Sequence, residues 1–290
     1  MQEHAQDRPN TSFGNTLLLG AESGPYLKPT PVALRCWRLG RLSWHLVKGL
    51  YIAWLVFPRL DEPQQRKAMR KWSLRLLAIL KISVRSNTLT ALPSRCMLVS
   101  NHISWVDIFV LAAQYPAIFV AKSEIRSWPL VGTLCHRAGT VFIERGRRSS
   151  ARRTNAVLGA AITRGALISI FPEGTTSDGR EVGPFHAALF QPAIDSKAEI
   201  QPAVIRYLDT NGHYCGGPNF VGETTFLQSL WHITGERHIV AHLQLLDTLP
   251  AIGYERRALA EKVLTLIRNG LTQQTGMAPE TGADLPVLPQ

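Results

Sequence analysis

Ser100-Asn101-His102-Ile103-Ser104-Trp105-Val106-Asp107 stands where a short apolar run, CMLVS, gives way to a helical pattern. A histidine takes a proton from an alcohol near neutral pH, and a carboxylate beside it fixes the tautomer and stabilises the imidazolium that forms. With His102 ahead of the helix and Asp107 inside it, the two side chains can meet. The same residues admit a blander reading, in which Asp107 or Ser104 caps the helix.

A second cluster, Phe171-Pro172-Glu173-Gly174-Thr175-Thr176-Ser177-Asp178-Gly179, follows the apolar run ALISI. A strand that ends in Pro, Gly and small hydroxyl residues makes a backbone cradle for a phosphate or carbonyl oxygen. It also makes an ordinary turn, since Ser-Asp-Gly closes turns readily. The carboxylate of Glu173 at a strand end points to a specific task. The third cluster, Gly139 to Arg148, runs a strand into a basic turn. Arg145 can grip a phosphate through its planar fork, and Arg147, Arg148, Arg152 and Arg153 read as a solvated or headgroup-facing patch.

The elements that must position these residues alternate from Cys96 onward. Apolar runs CMLVS, AIFVA, TVFIE and ALISIF are each followed by a helical pattern, around residues 104, 128–137, 150–163 and 187–196 in turn. IQPAVIRY, HIVAHLQLL and a last helix near 254–269 complete the series. Such alternation predicts an α/β domain, a mixed sheet flanked by helices, with functional loops gathered at strand ends.

Residues 39–58 are rich in Leu, Trp and Tyr but interrupted by Arg41, His45 and Lys48, and their unbroken apolar stretch is far short of the ~20 residues that a span requires. Trp37, Trp44, Tyr51 and Trp54 with Arg35, Arg38, Arg41, Lys48 and Arg59 suit a helix lying in the headgroup zone; the alternative is a soluble core helix. A second basic amphipathic stretch, residues 65–82, carries Met69, Trp72, Leu74, Leu76, Leu77 and Leu80 on one face and could share that membrane contact. The expected organisation is a disordered tail over 1–30, membrane-associated helices over 31–85, the α/β domain over 86–271 and a second disordered tail over 272–290.

With 32 Lys and Arg against 21 Asp and Glu, the chain carries a formal charge of +11 and calls for an anionic partner. A nucleic acid is disfavoured, because no DNA- or RNA-binding motif accompanies the charge and the aromatics sit in the membrane-like segment. Cys36, Cys96, Cys135 and Cys215 lie far apart with no metal-binding spacing, so reduced thiols and no metal are expected. The N-terminal residues lack the pattern of a secretory signal, so the active domain is expected at the cytoplasmic face of the inner (cell) membrane.

Taken jointly, the clusters resemble the glycerolipid acyltransferase family typified by bacterial 1-acyl-sn-glycerol-3-phosphate acyltransferases. The resembling blocks are Asn101-His102 through Asp107, Phe142-Ile143-Glu144-Arg145, Phe171-Pro172-Glu173-Gly174-Thr175 and Ile200-Gln201-Pro202-Ala203. Ala121-Lys122-Ser123-Glu124 with Trp128-Pro129-Leu130-Val131-Gly132 matches the segment between the first two. The resemblance implies that His102 is the general base, that Asp107 orients it, and that a hydroxyl attacks the thioester of acyl-CoA or acyl carrier protein directly, with no cofactor. It also implies a substrate-binding set of Lys122, Arg145, Glu173, Gly174, Thr175 and Thr176, with Arg145 on the acceptor phosphate and backbone N–H groups near residues 174–176 on the oxyanion. The implied acceptor is a lysophospholipid, first 1-acylglycerol-3-phosphate. Many such enzymes carry Arg where this chain has Thr176, and the Thr-Thr-Ser-Asp-Gly form resembles lyso-ornithine-lipid acyltransferases, which makes lyso-ornithine lipid the alternative.

Overall fold

The computed structural model describes residues 30–87, 91–144 and 148–273, without the side chains of 148–151. The tails expected over 1–30 and 272–290 therefore fall outside the described residues except at Thr30, Thr272 and Gln273. Thr30 is buried, donating its N–H to Gly235 O at 3.1 Å and its hydroxyl to Glu236 O at 3.1 Å.

Helix α1 (Val32–Tyr51) runs directly into a π-helical turn (Ile52–Val56) and a 3-10 turn (Phe57–Arg59). Pro58 has no N–H to offer the helical ladder, and the chain turns there. Helix α2 (Glu62–Ile79) restarts on a capping box: Asp61 accepts the Gln64 N–H at 2.8 Å and Gln64 reaches back to the Asp61 N–H at 3.3 Å. Such a cap is worth about 1 kcal/mol. Its expected apolar face turns inward to the core: Leu76, Leu77 and Leu80 are buried, and Met69, Trp72 and Leu74 pack against them. α3 and the sheet cover that face.

Eight strands form one sheet: β1 (Ile82–Ser86), β2 (Cys96–Ser100), β3 (Ile118–Lys122), β4 (Val141–Ile143), β5 (Ile168–Ile170), β6 (Glu199–Leu208), β7 (Ile239–Leu245) and β8 (Leu249–Pro250). Their order is β1-β7-β6-β2-β5-β3-β4, with β8 on β6. The run β6-β2-β5-β3-β4 is parallel, β7 is antiparallel to β6, and β1 is parallel to β7. This is the mixed sheet that the alternation predicts. Between the strands lie α3 (Asp107–Gln114), α4 (Val131–Arg137), α5 (Arg148–Thr163), α6 (Gln191–Asp195) and α7 (Phe226–Gly235), and α8 (Arg256–Gln273) follows β8.

Two cores lie on the two faces of the sheet. Leu42, Leu76, Val110 and Ile233 bring α1, α2, α3 and α7 onto one, and Leu158, Phe190, Ala193 and Val263 bring α5, α6 and α8 onto the other. The helix expected over 187–196 divides into a 3-10 turn (Ala187–Phe190) and α6, which opens with Pro192 in its first turn. β1 and α7 have no counterpart in the sequence-based expectation.

Parallel pairing is what positions the site. All five residues of β2 are buried, as a central strand covered on both faces requires. β2 pairs β5 with Val99 opposite Ile170, and pairs β6 with Ser100 opposite Ala203. The loops that leave β2 and β5 therefore emerge side by side at one end of the sheet, while β6 runs on past the end of β2.

Candidate active site

At the end of β2, Asn101 replaces a strand residue with its side chain. Its amide donates to Ile205 O at 3.0 Å and accepts the Ile205 N–H at 2.8 Å, so β6 keeps its pairing while the backbone of residue 102 turns away. Ile103 and Val106, both buried, pin the following loop to the core. Helix α3 then begins at Asp107 itself.

His102 Nδ1 lies 2.8 Å from Asp107 Oδ2. A carboxylate accepts, so Nδ1 carries the hydrogen and Nε2 is left with its lone pair. The imidazole stacks on Phe171 at 4.1 Å between centroids and 15° between planes, and 18% of its surface reaches solvent. Asp107 is fully buried. Its Oδ2 also accepts the N–H groups of Ile103 at 2.7 Å and Ser104 at 2.9 Å, and its Oδ1 accepts the Tyr207 hydroxyl at 2.7 Å. Helix α3 carries no side-chain cap, so the capping reading is not met; the carboxylate instead gathers backbone N–H groups of the loop ahead of α3 and holds the imidazole as well.

Glu173 sits on the neighbouring loop and is buried. Its Oε1 accepts the His102 N–H at 2.8 Å and its Oε2 accepts the Gly183 N–H at 2.9 Å. Burial pushes its carboxyl above the usual range, opposed by those two N–H groups. Ser177 donates its N–H to His102 O at 2.8 Å, so residue 102 is tied to the second loop through both backbone groups. Gly174 and Gly179 have positive φ, 66° and 77°, and a Cβ on Gly179 would come within 2.5 Å of Ile103 Cδ1. Only glycine lets the two loops close at that point.

Thr176 turns its hydroxyl to the carbonyl of Phe220, whose N–H is bonded to Ile103 O. The Gly174 N–H is used by Phe171 O at 3.1 Å, which removes it from the expected oxyanion donors; those of Thr175 and Thr176 carry no hydrogen bond among the described residues. Lys122 is exposed at the end of β3, and Thr175 is exposed. Arg145 and Arg147 lie outside the described residues. The structure brings His102, Asp107, Glu173 and Thr176 into one bonded unit, and the sequence reading omits Tyr207 from it. The available signal was a tyrosine in a strand, IQPAVIRYL, whose nearest positions on the same face, Ala203 and Ile205, are small or aliphatic: a phenol there needs a partner for its hydroxyl.

On α1 and the π-helical turn that continues it, Trp44, Tyr51 and Trp54 are 70%, 61% and 56% exposed, with Lys48 exposed among them. Arg38, expected at the headgroup face, is buried instead. It donates to Thr234 O at 2.9 Å and Glu236 O at 2.6 Å, satisfying carbonyls at the C-terminal end of α7. A cavity of about 320 Å³ lies beneath α1, lined by His45, Ala53, Met69, Trp72 and Leu134 among others.

A histidine held by a buried carboxylate at the strand ends of an α/β sheet, with no hydrogen bond on its second nitrogen among the described residues, can draw a proton from a hydroxyl. The chain belongs to the acyltransferase family. That family's profile matches residues 81–206, a span that holds all the blocks named above. The chain is 38% identical over 211 residues to the lyso-ornithine lipid O-acyltransferase of Pseudomonas aeruginosa, covering 72% of this chain and 80% of that one. It is 38% identical over 179 residues to the 1-acyl-sn-glycerol-3-phosphate acyltransferase of Neisseria meningitidis serogroup B, covering 61% and 69%. The crystal structure of the 1-acyl-sn-glycerophosphate acyltransferase from Thermotoga maritima shares the fold, with a TM-score of 0.63 at 18% identity over 86% of this chain and 97% of that one. The protein is therefore an acyltransferase enzyme.

Proposed function

We propose that the protein transfers a fatty acyl group from acyl-CoA or acyl carrier protein to the free hydroxyl of a lysolipid, with His102 as general base. The observation that carries this reading is the 2.8 Å contact between His102 Nδ1 and the fully buried Asp107. Nε2 takes the hydroxyl proton as the oxygen attacks the thioester carbonyl, and Asp107 stabilises the imidazolium. The tetrahedral intermediate collapses with loss of the thiolate, which takes the proton back from His102. The unspent N–H groups of Thr175 and Thr176 are the oxyanion donors in this scheme. Glu173 serves as a brace, since both of its oxygens are used by backbone N–H groups.

The first acceptor in this reading is 1-acylglycerol-3-phosphate, with Arg145 and Lys122 as the cations for its phosphate, and one relative carries that activity in its name. A second acceptor, lyso-ornithine lipid, is favoured by Thr176, whose side chain is spent on Phe220 where many phosphate-directed relatives have Arg, and by the name of another relative. Purified protein assayed against both lysolipids with both donors tests the reading. Transfer to neither would overturn it, and the preferred acceptor decides between the two.

The reaction is placed at the cytoplasmic face of a membrane, with α1 lying in the headgroup zone. No helix among the described residues is long and apolar enough to cross a membrane. Trp44, Tyr51 and Trp54 are exposed aromatics with Lys48 and Arg41 beside them, a composition suited to an anionic lipid surface. Leu227 and Trp231 are further exposed apolar side chains on one face of α7, and Arg35 of α1 lies over the Trp231 ring at 5.0 Å. The apolar cavity beneath α1 offers room for part of an acyl chain.

A further inference from the structure

We propose that Tyr207 is a positioning residue for acyl transfer, whose O–H fixes the rotation of the Asp107 carboxylate that holds His102. The inference rests on His102 acting as the general base.

Asp107 is buried with no cation against it among the described residues, and four donors converge on it. Three of them, His102 Nδ1, the Ile103 N–H and the Ser104 N–H, crowd onto Oδ2. Tyr207 alone serves Oδ1, at 2.7 Å. Without that bond the carboxylate keeps one oxygen buried and bare, free to swing or to concentrate its charge on the oxygen that faces the imidazole. Tyr207 reaches this place because β6 outlasts β2, and because Ala203, Ile205 and Tyr207 all point to the core that α3 covers.

Burial, together with the charge and hydrogen bond of Asp107, pushes the Tyr207 phenol well above its usual range. It therefore stays a neutral donor at any pH at which the enzyme works. Phenylalanine would fill the same volume without the cost of burying a hydroxyl, so packing alone does not call for tyrosine here. The other titratable neighbour of the pair is Glu173, from the loop after β5, held against the His102 backbone.

The sign of the effect follows from charge. A phenol that shares the carboxylate's negative charge weakens the hold of Asp107 on the imidazolium. In Tyr207→Phe, Oδ1 loses its donor, and the acid limb of the kcat/KM profile should move up by about half to one pH unit. kcat at neutral pH should fall about tenfold, with KM for the acceptor within about twofold. Replacing Tyr207 with 3-fluorotyrosine keeps the shape and gives a stronger donor, so the acid limb should move the other way. That second protein supplies the answer if the phenylalanine variant fails to fold.

Acid limbs that stay in place in the variants that fold would overturn the proposal whatever happens to kcat, because lost packing lowers activity without moving a titration. The general-base reading fails separately, if His102→Gln still transfers acyl groups.

Discussion

The two regions from which function was read are built on opposite terms. Around His102 the polar groups are buried and bonded: Asp107 has four donors, Glu173 has two, and the backbone N–H and C=O of residue 102 are both engaged. Along the outer side of α1 the large side chains Trp44, Tyr51 and Trp54 are open to solvent, while the inner side is closed by Leu42, His45 and the buried Arg38. In the first region position is set from inside by hydrogen bonds, so small changes should alter rate. In the second, the Arg137 guanidinium covers the Trp54 ring at 4.1 Å, and Trp44 and Tyr51 carry no hydrogen bond or ring contact among the described residues, so changes there should alter where the enzyme works.

His102→Ala is the strongest way to break that contrast. It should lower kcat by about 10³-fold or more while leaving the circular dichroism and vesicle binding of the wild type. Asp107→Asn should cost about 10²–10³-fold, since the amide would turn a donor toward groups that are already donors. Glu173→Gln should cost about tenfold in kcat, because one of its two N–H partners would face an NH₂ group.

Glu173 also carries a pH signature. Its carboxyl is held above the ordinary range, so the native state keeps that proton more tightly than the unfolded chain does. As pH rises from the unfolded value through the folded one, stability should fall, and Glu173→Gln should remove that part of the slope in urea melts taken across the interval.

On the other side of the comparison, Trp44→Ser with Tyr51→Ser should weaken cosedimentation with anionic vesicles about tenfold, the weight of one to two kcal/mol of lost apolar contact. Turnover of a short-chain, monomeric lysolipid should stay within about twofold. An equal loss on vesicles and on the monomeric acceptor would show that α1 supports the site itself and would erase the contrast. The smallest effect is expected at the exposed Lys122: Lys122→Ala should raise KM for a phosphate-bearing acceptor about threefold and leave a lyso-ornithine acceptor unchanged.

Much of this was legible along the chain. The CMLVS run followed by a helical pattern placed β2 and α3, and the gap between them held His102 and Asp107. The alternation of runs gave the mixed sheet with helices on both faces. Arg38 was misread because its spacing matches that of the exposed α1 cations; only the carbonyls ending α7, some 200 positions away in the chain, make it an interior residue. The apolar face of α2 was legible while its cover, α3 and the sheet, was not, since periodicity shows that a face needs cover and not what supplies it. α7 itself was missed.

The sequence by itself determined the elements, the order of the blocks and the candidate pair, because those depend on residue types at short separations. The tertiary structure decided which groups surround the pair. Tyr207 lies 100 positions from Asp107 and Glu173 lies 71 from His102, and both are brought in by one fact, that β2 is flanked by parallel strands β5 and β6. A parallel sheet gathers the ends of strands distant in the chain, and hydrogen bonds across that edge leave no periodic mark in the sequence.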